Sequence, residues 1–155
     1  MSRKVTFQSL DDLKAHAGQD ITTTDWLQVD QTRIQQFADA TGDQQWIHTD
    51  PARAKAESPF GTTVAHGFLT LSLLAEFLQS SIDCKGTRMG VNYGLNKVRF
   101  PAPVRSGDRI RCHVQLKTVE PLPDQAVQMT WGATIEIEGG DKPACVAEML
   151  SRWYF

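Results

Sequence analysis

Apolar positions follow two different periods along the chain. Between residues 30 and 82 they recur every three to four residues, and beyond residue 83 every second residue. In the first stretch Ile34, Phe37 and Ala38 stand at i, i+3 and i+4, which predicts a helix running from an Asp30 N-cap to Ala40 and stopped by Gly42. Asp50–Pro51 predicts a second, short helix, because aspartate caps and proline suits the first helical position; Pro59 and Gly61 end it. A third helix is predicted from Ala65 to Ile82, with Val64, Phe68, Leu71, Ala75, Leu78 and Ile82 in helical register. Leu69, Leu73, Leu74 and Phe77 widen its apolar surface until only Ser72, Glu76, Gln79 and Ser80 form a polar stripe. A helix apolar almost all round is expected to be buried. At roughly 1.5 Å per residue it would run about 27 Å, the length of a small sheet's concave face.

The period-two half predicts strands. Val91, Tyr93 and Leu95 alternate with polar or small neighbours, and the phase then slips to Val98 and Phe100, which predicts a bulge near Asn96. Ile110, Cys112, Val114 and Leu116 mark another strand, and Val127, Met129, Trp131, Ala133, Ile135 and Ile137 the most regular one. A last strand runs from Ala144 to about Phe155, with turns at Gly107–Asp108, Pro123–Asp124 and Gly139–Gly140–Asp141. Upstream, Thr22–Asp30 reads as a first strand, and residues 1–20 as an N-terminal extension with a short helix. The expected architecture is α+β: one domain over residues 1–155, with a curved antiparallel sheet of five strands wrapped around a long central helix.

Composition narrows the function classes. A net charge of −2 offers no global attraction to nucleic acid or anionic membrane. Cys84, Cys112 and Cys145 are odd in number and widely spaced, which argues against a disulfide framework or a zinc knuckle and fits a reducing compartment. The start lacks the apolar run of a secretory signal, and the apolar stretch Val64–Leu78 is interrupted by His66, Thr70, Ser72 and Glu76. A cytoplasmic location is therefore the expectation.

The chemistry concentrates between Ala40 and Gly67. Asp43 precedes His48 by five residues, and His66–Gly67 follows at the mouth of the apolar helix. A carboxylate and an imidazole both exchange protons near neutral pH, so together they could handle a water in one pocket. Amides at a helix start lack intrahelical acceptors and suit a developing oxyanion. Asp50 reads as a helix cap and His66 as a packing or capping residue. Ligation of a metal by His48, Asp50 and His66 fits no helical i, i+4 spacing, and no metal is expected.

The strings TGDQQWIHTDPARA and FGTTVAHGFLTLSLL, with the later NYGLNKVRFPAPVRSGDRI, resemble the MaoC-like dehydratases, the (R)-specific enoyl-CoA hydratases of hotdog fold. The resemblance spans about Trp26 to the C-terminus, and the NodN-like branch is the most similar, because Gln45–Trp46 stands where other members have Asn-Pro. It implies Asp43 and His48 as the catalytic pair and the Gly67 backbone N–H as the oxyanion donor. It also implies a homodimer with acyl pockets at the subunit interface, no separate cofactor, and coenzyme A as part of the substrate. The implied reaction adds water to trans-2-enoyl-CoA, giving (R)-3-hydroxyacyl-CoA. Gln45 and Trp46 are the expected substrate contacts, with Trp46, Phe68 and Leu71 bounding the acyl channel and Trp46 shortening it.

Eight basic residues between Lys85 and Lys117 face a single acid, Asp108. Such a run suits either a solvated strand face or the phosphates of coenzyme A, with Lys97 and Arg99 as the expected contacts. Two other functions stay open on the sequence: a hotdog thioesterase, and a non-catalytic module binding acyl-CoA or acyl carrier protein.

Overall fold

In the computed structural model, which describes residues 3–155, the N-terminal segment is built into the fold. β1 (Val5–Phe7) leads to Ser9, whose hydroxyl accepts from the Asp12 amide and opens α1 (Leu10–Ala15). Phe7 and Leu13 are buried in the main core, so the extension closes one end of it. The expected first strand is two pieces, β2 (Gln19–Thr23) and β3 (Leu27–Gln28). Thr24 joins them: its amide donates to the Cys112 carbonyl, and its hydroxyl accepts from the Cys112 amide at 2.9 Å.

The capping logic locates the next helices. Asp30 accepts from the Arg33 amide at 2.8 Å and starts α2 (Gln31–Thr41). Gly42 ends α2 at φ +80°, a conformation that suits glycine. The expected loop around His48 contains a helical turn, α3 (Trp46–Thr49). Asp50 then caps α4 (Pro51–Glu57) through the Arg53 amide.

The third helix differs most from its expectation. It divides into α5 (Gly67–Ser72) and α6 (Leu74–Ser81), with Leu73 between them. The Ser72 hydroxyl donates to the Phe68 carbonyl at 2.6 Å, a side-chain bond to the i−4 carbonyl of the kind that bends helices. Ile82 belongs to β4 (Ile82–Cys84), which pairs in parallel with β1.

β5 (Met89–Arg99), β6 (Arg109–Leu122), β7 (Ala126–Ile137) and β8 (Cys145–Tyr154) complete an antiparallel sheet in the order β2-β6-β7-β8-β5, with β3 beside β2 on β6. Alternate residues of β6, β7 and β8 bury one face against α5 and α6. β5 breaks this alternation. Its register shifts at Tyr93 and at Asn96, the second being the expected bulge. Val91 lies opposite Arg152 and Tyr93 stacks under the Arg152 guanidinium, so neither belongs to the inner face. The inner positions are Gly90, Asn92, Leu95 and Val98, opposite Trp153, Ser151, Met149 and Ala147.

β5 is a sheet edge, and the sheet does not enclose the helix. Phe68 is 70% exposed, and Leu71, Ala75 and Leu78 are only partly covered. Between Ala75 and Leu78 and the start of β5 lies a cavity of about 380 Å³, whose lining includes Asn92, Trp131, Met149 and Trp153. No helix among the described residues is long and apolar enough to cross a membrane.

At the base of that cavity the buried Trp131 indole N–H donates to Ser151 Oγ at 2.8 Å. Ser151→Ala removes the acceptor and leaves the N–H buried without a partner. The expected loss of stability is about 1–3 kcal/mol, read by calorimetry with an unchanged far-ultraviolet dichroism spectrum.

Candidate active site

Residues 63–65 form an extended strap that enters α5, and backbone bonds hold it on both sides. The Val64 amide donates to the Ile47 carbonyl at 3.0 Å, and the Ala65 amide to the Val104 carbonyl at 2.7 Å. The Ser106 amide donates to the Thr63 carbonyl at 2.9 Å, and Val64 forms a bridge with Arg105. Gln31 of α2 locks the arrangement, accepting from the Thr63 hydroxyl while its own amide donates to the His48 carbonyl at 2.7 Å. The strap's Val64 carbonyl is thereby placed to receive a side chain from α3.

That side chain is His48, which is 7% exposed. Its Nδ1 lies 2.6 Å from the Val64 carbonyl oxygen, an acceptor only, so Nδ1 carries the proton and Nε2 keeps a lone pair. Burial lowers the pKa of His48 below the ordinary 6.5, and neighbouring His66 lowers it further; the Val64 hydrogen bond and Asp43 act in the opposite direction. Burial wins, and the neutral base is favoured.

Asp43 follows the Gly42 stop and is half exposed; its Oδ1 accepts from the Gln45 amide at 3.4 Å. His66 stands between the two expected catalytic residues. Its ring stacks on His48 with centroids 3.8 Å apart and planes 23° apart, and its Nε2 lies 3.0 Å from the Asp43 carbonyl oxygen and 4.0 Å from Oδ2. His66 therefore packs, as its sequence position suggested, and its side chain makes no capping bond to α5. Ligating atoms of Asp43, His48 and His66 lie within 4.8 Å of one another, a spacing that could hold a metal. Stacked imidazoles direct their ring nitrogens along nearly parallel lines, however, and such lines do not converge on one ion. Asp50 only caps α4, as expected, and is not in the group.

Gly67 is the first residue of α5, next to this cluster. A Cβ there would come within 3.1 Å of the Phe100 ring, so the glycine permits a close approach of strand end and helix start. Gln45 is exposed at the N-cap position of α3 and makes no capping bond. The Trp46 ring is covered by the Arg53 guanidinium at 4.3 Å and does not border the cavity below α6, nor do Phe68 and Leu71. Lys97 and Arg99 lie opposite Glu148 and Val146, on the outer face of β5, and the structure does not bring them to Asp43 and His48. Of the other basic residues, Arg109, Arg111 and Lys117 pair with Glu138, Glu136 and Glu148, as a solvated strand face would. Sequence reasoning missed the contact that joins the cluster, the His48–His66 stack. The only signal in the sequence was two histidines, each next to a helix start.

Comparison with known proteins places the chain among relatives of similar sequence and fold. A family model described as the MaoC like domain matches residues 12–136. The chain is 52% identical over 148 residues to 3-hydroxyacyl-thioester dehydratase Z of Mycobacterium tuberculosis, covering 96% of this chain and 97% of that protein. It is 44% identical over 144 residues to nodulation protein N of Rhizobium leguminosarum bv. viciae, covering 92% and 89%. Among solved structures, an unliganded R-hydratase from Pseudomonas aeruginosa superposes with a TM-score of 0.66 at 25% identity, over 87% of this chain and 79% of that one. The shared architecture is the hotdog fold.

The lowered pKa of His48 carries a sign for stability. As pH falls through 6.5, the unfolded chain takes up a proton on this residue that the native chain refuses, so native stability declines from there down to the lower folded pKa. The His48 ring resonance is expected to titrate below 6.5, and His48→Gln to flatten the loss of stability in that window. A titration at or above 6.5 would contradict the burial argument.

Proposed function

The chain belongs to the MaoC-like dehydratase family, and we propose that it adds water reversibly to a trans-2-enoyl thioester of coenzyme A, giving (R)-3-hydroxyacyl-CoA. The observation that carries this reading is a buried, neutral His48 whose proton is fixed on Nδ1 by the Val64 carbonyl. Its free Nε2 and the Asp43 carboxylate form a proton-exchanging pair beside the start of α5. A water held between them gives one proton to the pair as its oxygen bonds to C3 and the C2–C3 π electrons move toward the thioester oxygen. The pair then returns that proton to C2 as the enolate collapses, so both members end as they began. The Gly67 N–H would stabilise the charge that gathers on the thioester oxygen meanwhile. The chemistry needs no cofactor beyond the coenzyme A that arrives with the substrate. The (R) configuration rests on the family and on the printed description of the R-hydratase neighbour.

The working form in this reading is a homodimer joined along β5. An unpaired edge is a hazard that proteins cover or blunt, and this one exposes Met89, Tyr93 and Leu95 beside the uncovered Phe68 stripe of α5 and α6. Lys97 and Arg99 make no ion pair with an acid among the described residues. They meet coenzyme A phosphates only if the site is completed across that edge, since within one chain they face away from it.

Loss of enoyl absorbance with crotonyl-CoA, followed beside a free-thiol assay, tests the reaction: absorbance should fall without thiol release. Asp43→Asn and His48→Gln are each expected to lower turnover by about 10²-fold or more while remaining folded. Near-normal turnover in either variant would remove that residue from the site. For assembly, sedimentation should show twice the 17.3 kDa chain mass, and Leu95→Lys should shift it to the monomer with loss of turnover. A wild-type monomer at micromolar concentration would count against the dimer.

A further inference from the structure

His66 is the side chain that touches both members of the proposed catalytic pair. It is 3% exposed, enclosed by the stacked His48 ring on one side and by Phe37 of α2, with ring centroids 4.9 Å apart, on another. The Asp43 carbonyl beside Nε2 can only accept, so the His66 proton sits on Nε2. Nδ1 is then a buried acceptor without any partner. Buried polar atoms are almost always satisfied, and one left over in a folded site marks a side chain held there for another reason. Phenylalanine would fill the space without that cost, but it could not donate to Asp43. Glutamine could donate, but it could not stack on His48.

We propose that His66 is the positioning residue of the pair, pinning the Asp43 loop through its carbonyl and the His48 ring through the stack. The proposal rests on the dehydratase reading of the site. Asp43 hangs from a short connection between Gly42 and α3, and its carboxylate makes only long contacts, 3.4 Å with the Gln45 amide and 4.0 Å with His66 Nε2. The His66 bond at 3.0 Å is the shorter restraint, and it acts on the backbone of that residue. His48 is restrained in its plane by Val64, but that bond leaves it free to tilt about the Nδ1–oxygen line. A ring packed flat against it removes the tilt. The stacked ring also covers His48, adding to the burial that lowers its pKa. The titratable groups acting on His48 are Asp43, from the connection before α3, and His66, from the strap; α2 presents the neutral Phe37 to His66 and the neutral Gln31 to the His48 carbonyl.

Two variants separate the two restraints. His66→Gln keeps a donor near the Nε2 position and loses the ring; His66→Phe keeps the ring and loses the donor. In the wild-type chain, ring ¹⁵N spectra should place the proton on Nδ1 of His48 and on Nε2 of His66. His66→Gln should move the His48 titration up toward 6.5, and with it the acid limb of kcat/KM. His66→Phe should leave that titration low, because burial is its main cause. Both variants should lower kcat by about 10- to 100-fold, the scale of a misplaced catalytic group, with KM changed less than about twofold. The proposal is overturned if His66→Gln keeps wild-type kcat and an unmoved His48 titration. It is equally overturned if both variants lower only the thermal midpoint, or if the wild-type tautomers are reversed. Should the wild-type chain fail to hydrate enoyl-CoA, the dehydratase reading fails alone, while the tautomers and the His48 titration still decide the positioning role.

Discussion

A helix that is apolar nearly all round cannot be covered by a single sheet, and most of this structure follows from that mismatch. The sheet buries Leu69, Leu73, Leu74 and Phe77 but leaves Phe68 in solvent and Leu71, Ala75 and Leu78 half covered. The uncovered stripe runs beside β5, whose inner positions include Gly90 opposite Trp153 and Asn92 opposite Ser151, too small or too polar to fill the space. The result is a cavity along the helix and an unpaired, apolar sheet edge on the same side. An apolar stripe and an open edge are both unfavourable in water, and the same partner surface can relieve both. The N-terminal extension solves a different part of the problem. By pairing β1 with β4 and burying Phe7 and Leu13, it closes the end of the core that the sheet does not reach.

The site depends on the start of that same helix. The strap before α5 is bonded to Ile47, Val104 and Ser106, so the Val64 carbonyl cannot move to suit His48. A fixed acceptor fixes the tautomer, and burial keeps the second nitrogen unprotonated. A flexible loop histidine would have neither property. The Asp43 side chain contrasts with it, being half exposed at the rim of the cluster. The pair thus consists of a rigid, buried base and a solvent-facing carboxylate, which differ in environment more than in distance.

Much of this was legible along the sequence because it is local. Asp30, Asp50–Pro51 and Gly42 set helix ends through bonds within four residues, and each does so in the structure. The Asn96 bulge was visible as a phase slip, and the candidates Asp43, His48 and Gly67 are found close together. What was hidden depends on distant partners. Helix periodicity cannot show that the Ser72 hydroxyl turns back onto Phe68 and divides the helix, because serine at that position equally faces solvent. The first β5 bulge, at Tyr93, leaves no clean phase slip, and so the inner and outer residues of the strand's first half were exchanged. The packing of the Arg53 guanidinium over the Trp46 ring was likewise not legible in the motif.

The placement of Asp43 connects these themes. An exposed carboxylate exchanges protons readily but is screened by water, so its field at a substrate is weak until the solvent is displaced. Beside the cluster the Phe100 ring lies close against Gly67, and that ring is 40% exposed. Phe68, on the first turn of α5, points into solvent at the same place. Covering these two aromatic rings would bury apolar surface beside the start of α5. Phe100, just past the end of β5, approaches the start of α5, whereas the first residues of β5 border the far end of α6. In the proposed dimer, a partner seated on these rings would couple assembly to catalysis.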